Sequence, residues 1–293
     1  MRISSIDVGS NAIRQVIVEV NPFGQWITLK KFRAPLRLGS DVFSTGRIQS
    51  NTEIELLNVF KKMQKLNKKY KVKKVIALAT SAMRDAKNGA VIKRKIKKIS
   101  QITLQTISGQ KEAELIRSSI FKSQIINFNS SLLIDIGGGS AEFSALIGQK
   151  IVSSQSFPLG VVRLLNLTKK TKKTVAQIAK PYLQQVKNKN KTQKIDIAIG
   201  TGGNFDALSK LKLLLLKKTP NTNLTVLEIQ TILKIWNSLS LAQKEKLNIR
   251  KDRIDVLTLA IELILETLIL FKIEKVKIPL TGLKEGAIYS FIK

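Results

Sequence analysis

The sequence predicts a two-lobed α/β protein on three observations. The chain has 293 residues, 43% of them hydrophobic, which is ample material for one large core or two smaller ones. β-Branched runs alternate along it with stretches of helical period, instead of segregating into blocks. Finally, residues 6–18, IDVGSNAIRQVIV, and 134–146, IDIGGGSAEFSAL, repeat one device at the head of each half.

In the first half, residues 2–6, 12–20 and 26–33 read as a three-stranded meander, turning at Gly9-Ser10-Asn11 and at Asn21-Pro22-Phe23-Gly24. A helix follows from Thr52, as its cap, to about Lys69, and then a buried strand from Val72 to Ala79. A Lys-rich helix near 87–98, a strand over 102–107 and a helix from Lys111 to about Phe121 complete this half. The second half restarts the pattern with a meander over 132–135, 141–147 and 151–156. Helices near 159–167 and 174–187, a strand over 195–199 and mostly helix thereafter complete the chain. The expected domains are 1–122 and 123–293, with the last helix, about 283–293, packing back on the first.

Composition removes several chemistries. The absence of Cys excludes disulfides, thiolate zinc sites and thiol nucleophiles, and the absence of His excludes Ser-His-Asp catalysis and imidazole-ligated metal. Carboxylates, hydroxyls, Lys, Arg, backbone amides and a hard, oxygen-bound cation remain. MRISSIDVGS has no apolar stretch behind its Arg, and the most apolar segment, Ile254 to Ile273, carries Asp255, Glu262 and Glu266. Neither a secretory signal nor a membrane span is expected, and a cytoplasmic location is.

There are 51 Lys+Arg against 20 Asp+Glu, a formal net charge of +31, which invites a polyanionic partner. Composition bias toward Lys, Ile and Asn is the duller explanation, although it does not account for the shortage of acids. The charge is spread over both halves, and the runs Lys61–Lys69 and Lys93–Lys98 fall at helical spacing beside apolar positions, as solvated helix faces do. Only 5% of residues are aromatic, so specific single-strand nucleic-acid binding is not expected.

Each copy of the repeated device is a strand ending in Asp, a glycine turn and a second strand. Gly9, and Gly137, Gly138 and Gly139, let the backbone approach an anion, with Ser10, Asn11 and Ser140 adding side-chain donors. Asp7 and Asp135 stand at the strand mouths, where each can hold a divalent cation. Glu142 follows Asp135 by seven positions across the turn and so comes near the same mouth. Arg84, past the end of a strand, can offer a planar fork to a phosphoryl group or pair with Asp85, and Arg14 is a similar case. Gly200, Thr201, Gly202 and Gly203 follow a strand and open a helix whose amides suit an anion. Arg253 and Asp255 read as a structural ion pair.

The stretches IDVGSNAIRQVIVEV, ALATSAMRDAKNG, SGQKEAELI, LLIDIGGGSAEFS, FPLGVVRL, AIGTGGNFDAL, RIDVL and GLKEGAIY occur in this order. Together they resemble the exopolyphosphatase and guanosine pentaphosphate phosphohydrolase family, within the superfamily of actin, heat-shock ATPases and sugar kinases. The resemblance implies two actin-like (ribonuclease H-like) domains, each a five-stranded mixed sheet flanked by helices, with the active site in the interdomain cleft. It implies hydrolysis of a terminal phosphoanhydride in inorganic polyphosphate or guanosine pentaphosphate. Glu112 matches the family's water-positioning carboxylate, Arg84 its phosphate-holding Arg, and Asp135 with Glu142 its pair for Mg²⁺ or another divalent cation. Lys111 stands where the family often has a second acid, which leaves Glu114 open as the alternative base. Rival readings are a polyphosphate or nucleotide sensor without turnover, and a kinase of the same superfamily. No membrane partner is expected, and a homodimer is compatible with the sequence.

Overall fold

The computed structural model describes residues 1–122, 129–191, 194–218 and 223–292. The chain divides into two units, Met1–Lys122 with Thr281–Lys293, and Ser123–Leu280. Residues 123–128, where the second domain was expected to begin, and Lys293 lie outside the described residues.

The first unit is built on β1 (Arg2–Val8), β2 (Ile13–Val20), β3 (Trp26–Ala34), α1 (Leu38–Thr45), α2 (Ser50–Lys69), β4 (Lys74–Ala79), α3 (Ser81–Asp85), α4 (Gly89–Ser100), β5 (Leu104–Thr106) and α5 (Gly109–Lys122). Its sheet has the order β3-β2-β1-β4-β5, the first three strands antiparallel and β1, β4 and β5 parallel. The central strand β1 is buried from Ile3 to Val8, and its polar residues are satisfied. Gln15 Nε2 donates to Ser4 Oγ at 2.9 Å, and Ser5 Oγ donates to the Lys284 carbonyl at 3.0 Å. Helix α2 begins two residues before Thr52, with Gln49 as its N-cap residue, whose amide donates to Asp41 Oδ2 at 2.9 Å. Leu56, Phe60 and Met63 of α2 join Ile92 and Ile96 of α4 in the core beneath the sheet.

The second unit contains β6 (Ser130–Ile136), β7 (Ala141–Ile147), β8 (Lys150–Phe157), α6 (Val161–Thr171), α7 (Val175–Lys189), β9 (Ile197–Thr201), α8 (Gly203–Leu216), β10 (Asn223–Thr225), α9 (Val226–Ser238), α10 (Leu241–Lys246), α11 (Lys251–Phe271) and β11 (Lys275–Lys277). Its sheet order, β8-β7-β6-β9-β11-β10, repeats the first and adds one strand. The five strands expected are thus six. β10 and β11 are three residues each, NLT and KVK, too short to show the two-residue period by which a strand is read. Helix α7 starts where expected, on a Thr174/Gln177 capping box. Helix α11 is apolar on most sides because it packs on α6, α7, α8 and α9. Among the described residues no helix is long and apolar enough to cross a membrane.

The last helix, α12 (Leu283–Phe291), belongs to the first unit, where it crosses α5 and covers β1. The crossing is so close that a Cβ on Gly286 would sit 1.9 Å from the Leu115 carbonyl oxygen, whereas one on Gly282 would meet nothing within 4 Å. Gly286→Ala is therefore expected to lower stability by ~1–3 kcal/mol through overpacking, with Gly282→Ala changing it by less than about 0.5 kcal/mol, read from urea midpoints.

One lysine is not a surface group. Lys212, 3% exposed, holds Glu228 Oε2 at 3.0 Å and donates to the Asn223 carbonyl at 2.8 Å. Burial pushes the Glu228 carboxyl up, but the Thr225 amide, Lys218 and Lys212 together outweigh it and hold the group below its ordinary value of 4.5. A lowered carboxyl pKa stabilises the fold above the unfolded value and loses that contribution as pH falls. Glu228→Gln should thus lower the melting temperature at pH 7 and make little difference near pH 3, a contrast that thermal scans at the two pH values would reveal.

Candidate active site

In the second unit the strand register places four polar side chains in one row. Thr201 of β9 is opposite Asp135 of β6, Asp135 opposite Glu142 of β7, and Glu142 opposite Ser156 of β8. Thr201 Oγ1 donates to Asp135 Oδ1 at 3.0 Å, and Ser156 Oγ donates to Glu142 Oε1 at 2.8 Å. The carboxylate oxygens of Asp135 and Glu142 lie within 4.8 Å of each other, and both residues are buried. Two buried carboxylates at this separation repel, and a hard divalent cation between them relieves the repulsion. The donor set, all oxygen and two formal charges, fits Mg²⁺. Gly202 completes the pocket wall: its φ is +83°, and a Cβ there would lie 2.5 Å from Asp135 Oδ1.

The turn from Gly137 to Ser140 is shaped by the start of α6. The amides of Val161 and Val162 donate to the carbonyls of Gly137 and Gly138 at 3.0 and 2.8 Å, and Arg163 Nε donates to the Gly139 carbonyl at 3.0 Å. All three carbonyls are thereby drawn toward α6. No described peptide is cis, and across a trans peptide the next N–H points the opposite way, so the amides of Gly138, Gly139 and Ser140 are directed away from α6 as a group. Amides so directed can receive an anion, as expected of a nest at this turn. The Gly137 amide itself closes the turn by donating to Ser140 O at 3.0 Å. Gly160 permits the close packing, since a Cβ there would be 2.2 Å from the Gly139 nitrogen.

The first unit repeats the arrangement with different chemistry. The Gly9 amide closes its turn on Ala12 O at 3.2 Å, the Gly39 amide donates to Ser10 O at 2.8 Å, and Ser10 Oγ accepts from the Ala82 amide at 3.1 Å. Arg37 Nε donates to Asn11 Oδ1 at 2.9 Å. Arg14 occupies the position that Glu142 has in the second copy, and its Nη1 donates to Asp7 Oδ2 at 2.8 Å. The structure therefore brings two expected site residues together as an ion pair.

Arg84 Nη1 donates to the Ile107 carbonyl at 3.0 Å, whereas its Nε stands 4.0 Å from Asp85, so its firmer bond is to the loop that leads into α5. Glu112 sits in the first turn of α5 and is buried, while Glu114 is exposed and paired with Lys111 at 3.1 Å. The two acids that the sequence left as alternatives thus have opposite surroundings. In the third glycine segment, Gly200 and Gly203 admit Phe205 and the Arg253 guanidinium at distances no Cβ would tolerate. Arg253 is buried and donates to Asn204 Oδ1 at 3.0 Å, while Asn204 Nδ2 donates to Ile136 O at 2.7 Å. Its partner is this loop, and Asp255 is exposed.

Among the described residues the buried Asp and Glu are Asp7, Glu112, Asp135 and Glu142, and no others. The supporting residues Arg37 and Gly160 went unnoticed in the sequence. Their signal is a second repeat, Pro35-Leu36 after β3 and Pro158-Leu159 after β8, each leading into the helix start that holds a turn.

A model of the Ppx/GppA phosphatase family matches residues 16–293. The chain belongs to that family. Exopolyphosphatase 1 of Mycobacterium tuberculosis is 29% identical over 164 residues, 56% of this chain and 48% of that protein. A bifunctional 3-dehydroquinate synthase/phosphatase of Fusobacterium nucleatum is 34% identical over 168 residues, 55% of this chain and 25% of that protein. The chain thus spans about half, or less, of the length of these relatives. Among solved structures, an exopolyphosphatase from Cytophaga hutchinsonii is 26% identical with a TM-score of 0.90, covering 100% of this chain and 98% of that one. The Aquifex aeolicus member of the Ppx/GppA family is 25% identical with a TM-score of 0.79, covering 100% and 97%. The α/β architecture with two duplicated mixed sheets is therefore that of the family.

If the helix start shapes the nest, then Gly160→Ala should weaken binding of tripolyphosphate about tenfold or more by calorimetry. Gly148→Ala, which strains a β7–β8 turn with nothing within 4 Å, should leave that affinity unchanged.

Proposed function

We propose that the protein is a phosphoanhydride hydrolase that releases terminal phosphate from inorganic polyphosphate. The observation that carries this reading is the burial of four acids, and no others, in a chain with 51 cations. Burying an acid is costly, and four of them in a chain so rich in cations is what a site for a hard cation and an attacking water would call for. Asp135 and Glu142 would hold a divalent cation, which supplies neutralisation of charge on the transferring phosphoryl group. The amides of Gly138, Gly139 and Ser140 would bind equatorial phosphate oxygens, with Ser10, Asn11 and the third turn, Gly200 to Gly203, as further contacts. Arg84 would present its fork to the same phosphate while anchoring the loop before α5. Glu112, buried at the start of that helix, would orient and deprotonate the attacking water. Asp7 would serve by holding Arg14.

Guanosine pentaphosphate is the second substrate of this proposal, and one feature supports it. A cavity of about 290 Å³ opens beside the third glycine turn, lined by Asp206, Lys210, Asn248 and Arg250, with polar groups suited to a nucleoside. Phosphate release with Mg²⁺ from long polyphosphate, tripolyphosphate, guanosine pentaphosphate and ATP tests both readings. Glu112→Ala is expected to lower kcat by at least about 100-fold, as removal of a general base does, with Glu114→Ala within about twofold of wild type. Full activity of Glu112→Ala would remove the base assignment, and a wild type that binds these compounds without turnover would make the protein a sensor.

A further inference from the structure

The basic runs of α2 and α4 are more than composition. Residues 61–74 contain eight lysines and residues 93–98 contain five basic residues, with no acid in either stretch. These twenty residues hold thirteen of the 25 cations found in residues 1–122. Both helices lead into parallel strands of one sheet, so they run the same way, and they pack against each other. Their C-terminal halves therefore lie together. Lys61, Lys65, Lys68, Lys69, Lys97 and Lys98 are all exposed, and among the described residues none of them makes an ion pair. Lys95, by contrast, is paired with Glu53, and Lys62 lies over the Phe32 ring.

This face lies at the wrong end of the sheet to line the catalytic turn. Lys74 is in register with Ile3 near the start of β1, and the Lys73 amide donates to Arg2 O at 2.9 Å, whereas Gly9 follows the other end of that strand. Six residues of strand separate the two ends, about 20 Å. Helix dipoles favour some lysine in a last turn, but they do not call for thirteen cations without an acid.

We propose that the C-terminal halves of α2 and α4 form a docking surface for long inorganic polyphosphate, separate from the catalytic turns, which retains the chain while its end is hydrolysed. The proposal rests on the polyphosphate reading above. Twelve of the thirteen basic residues are Lys and one is Arg, so the surface offers mobile point charges with little bidentate or stacking capacity. Among its twenty residues in sequence the one aromatic is the half-buried Tyr70. That chemistry suits a featureless polyanion better than a base-bearing one.

The test replaces Lys68, Lys69, Lys97 and Lys98 with Gln together. A control replaces Lys169, Lys170, Lys172 and Lys173 with Gln, removing the same charge from exposed positions in the second unit. Affinity for long-chain polyphosphate is measured from low to high salt, beside turnover of tripolyphosphate. For the α2/α4 variant we expect at least about tenfold weaker long-chain binding at 0.1 M salt. The slope of log K against log salt should shrink by about 3, with tripolyphosphate turnover unchanged. The control should retain wild-type affinity. Equal affinity in wild type and the α2/α4 variant, or equal losses in both variants, would overturn the proposal. So would duplex DNA binding the same lysines more tightly than polyphosphate does. Absence of all polyphosphate hydrolysis would instead sink the hydrolase reading, and the binding comparison would still be decisive for the surface.

Discussion

The structure depends on one feature of register. A strand that ends in Asp and turns through four residues places the side chain seven positions later directly beside that Asp. In the first copy this fixes Asp7 against Arg14, and in the second Asp135 against Glu142. One position therefore decides the chemistry of each turn. Arg14 satisfies its Asp with a 2.8 Å ion pair, so the first mouth is close to neutral and presents a guanidinium. Glu142 doubles the formal negative charge of the second mouth, where Thr201 and Ser156 each donate a hydroxyl to one carboxylate oxygen. The duplicated fold thus carries two different pairs at equivalent positions, an acid with an arginine in the first copy and two acids in the second.

The helix that follows each meander depends on the same turn. A glycine turn alone has many conformations, and its amides converge only if something fixes its carbonyls. In the second unit α6 does so with two backbone amides and one arginine, and in the first α1 does so with Gly39. The demand for contact at those helix starts is why glycine recurs at positions 39 and 160, each outside the turn it supports.

These relations explain what the sequence could and could not reveal. The repeat, the long strands and the amphipathic helices were legible because a side-chain period persists over enough residues to be read, as in β2 or α4. Asp7, Asp135 and the first two glycine turns stood out because the repeat displays the device twice, and Glu142 because it follows Asp135 across the second turn. Glu112 was found only through family resemblance, since an acid in the first turn of a helix is ordinary, and its burial is a property of packing. Arg253 read as a partner of Asp255 because the two are neighbours in sequence. Its hydrogen bond to Asn204, 49 positions away, forms only when α11 packs on α8. β10 and β11 were invisible because three residues of strand carry no period, and they exist because neighbouring strands offer them hydrogen bonds.

The proposed function would give the scarcity of acid in this chain a physical reason. Every surface carboxylate near a polyanion's path would repel it, so a protein that handles polyphosphate gains from having few of them. A catalytic carboxylate faces the opposite demand, because it must be present and must not be neutralised by a nearby lysine. Burial separates the two requirements. At the base of α5, Lys111 is exposed and engages Glu114, and so Glu112, one residue from that lysine in sequence, is left within the fold. At the second turn no lysine or arginine is in register with the carboxylates, and their neighbours across the sheet are hydroxyls. Hydroxyls can hold a carboxylate in place without cancelling its charge. Where a buried acid does face an arginine, at Asp7, the pair is an ion pair across the first two strands.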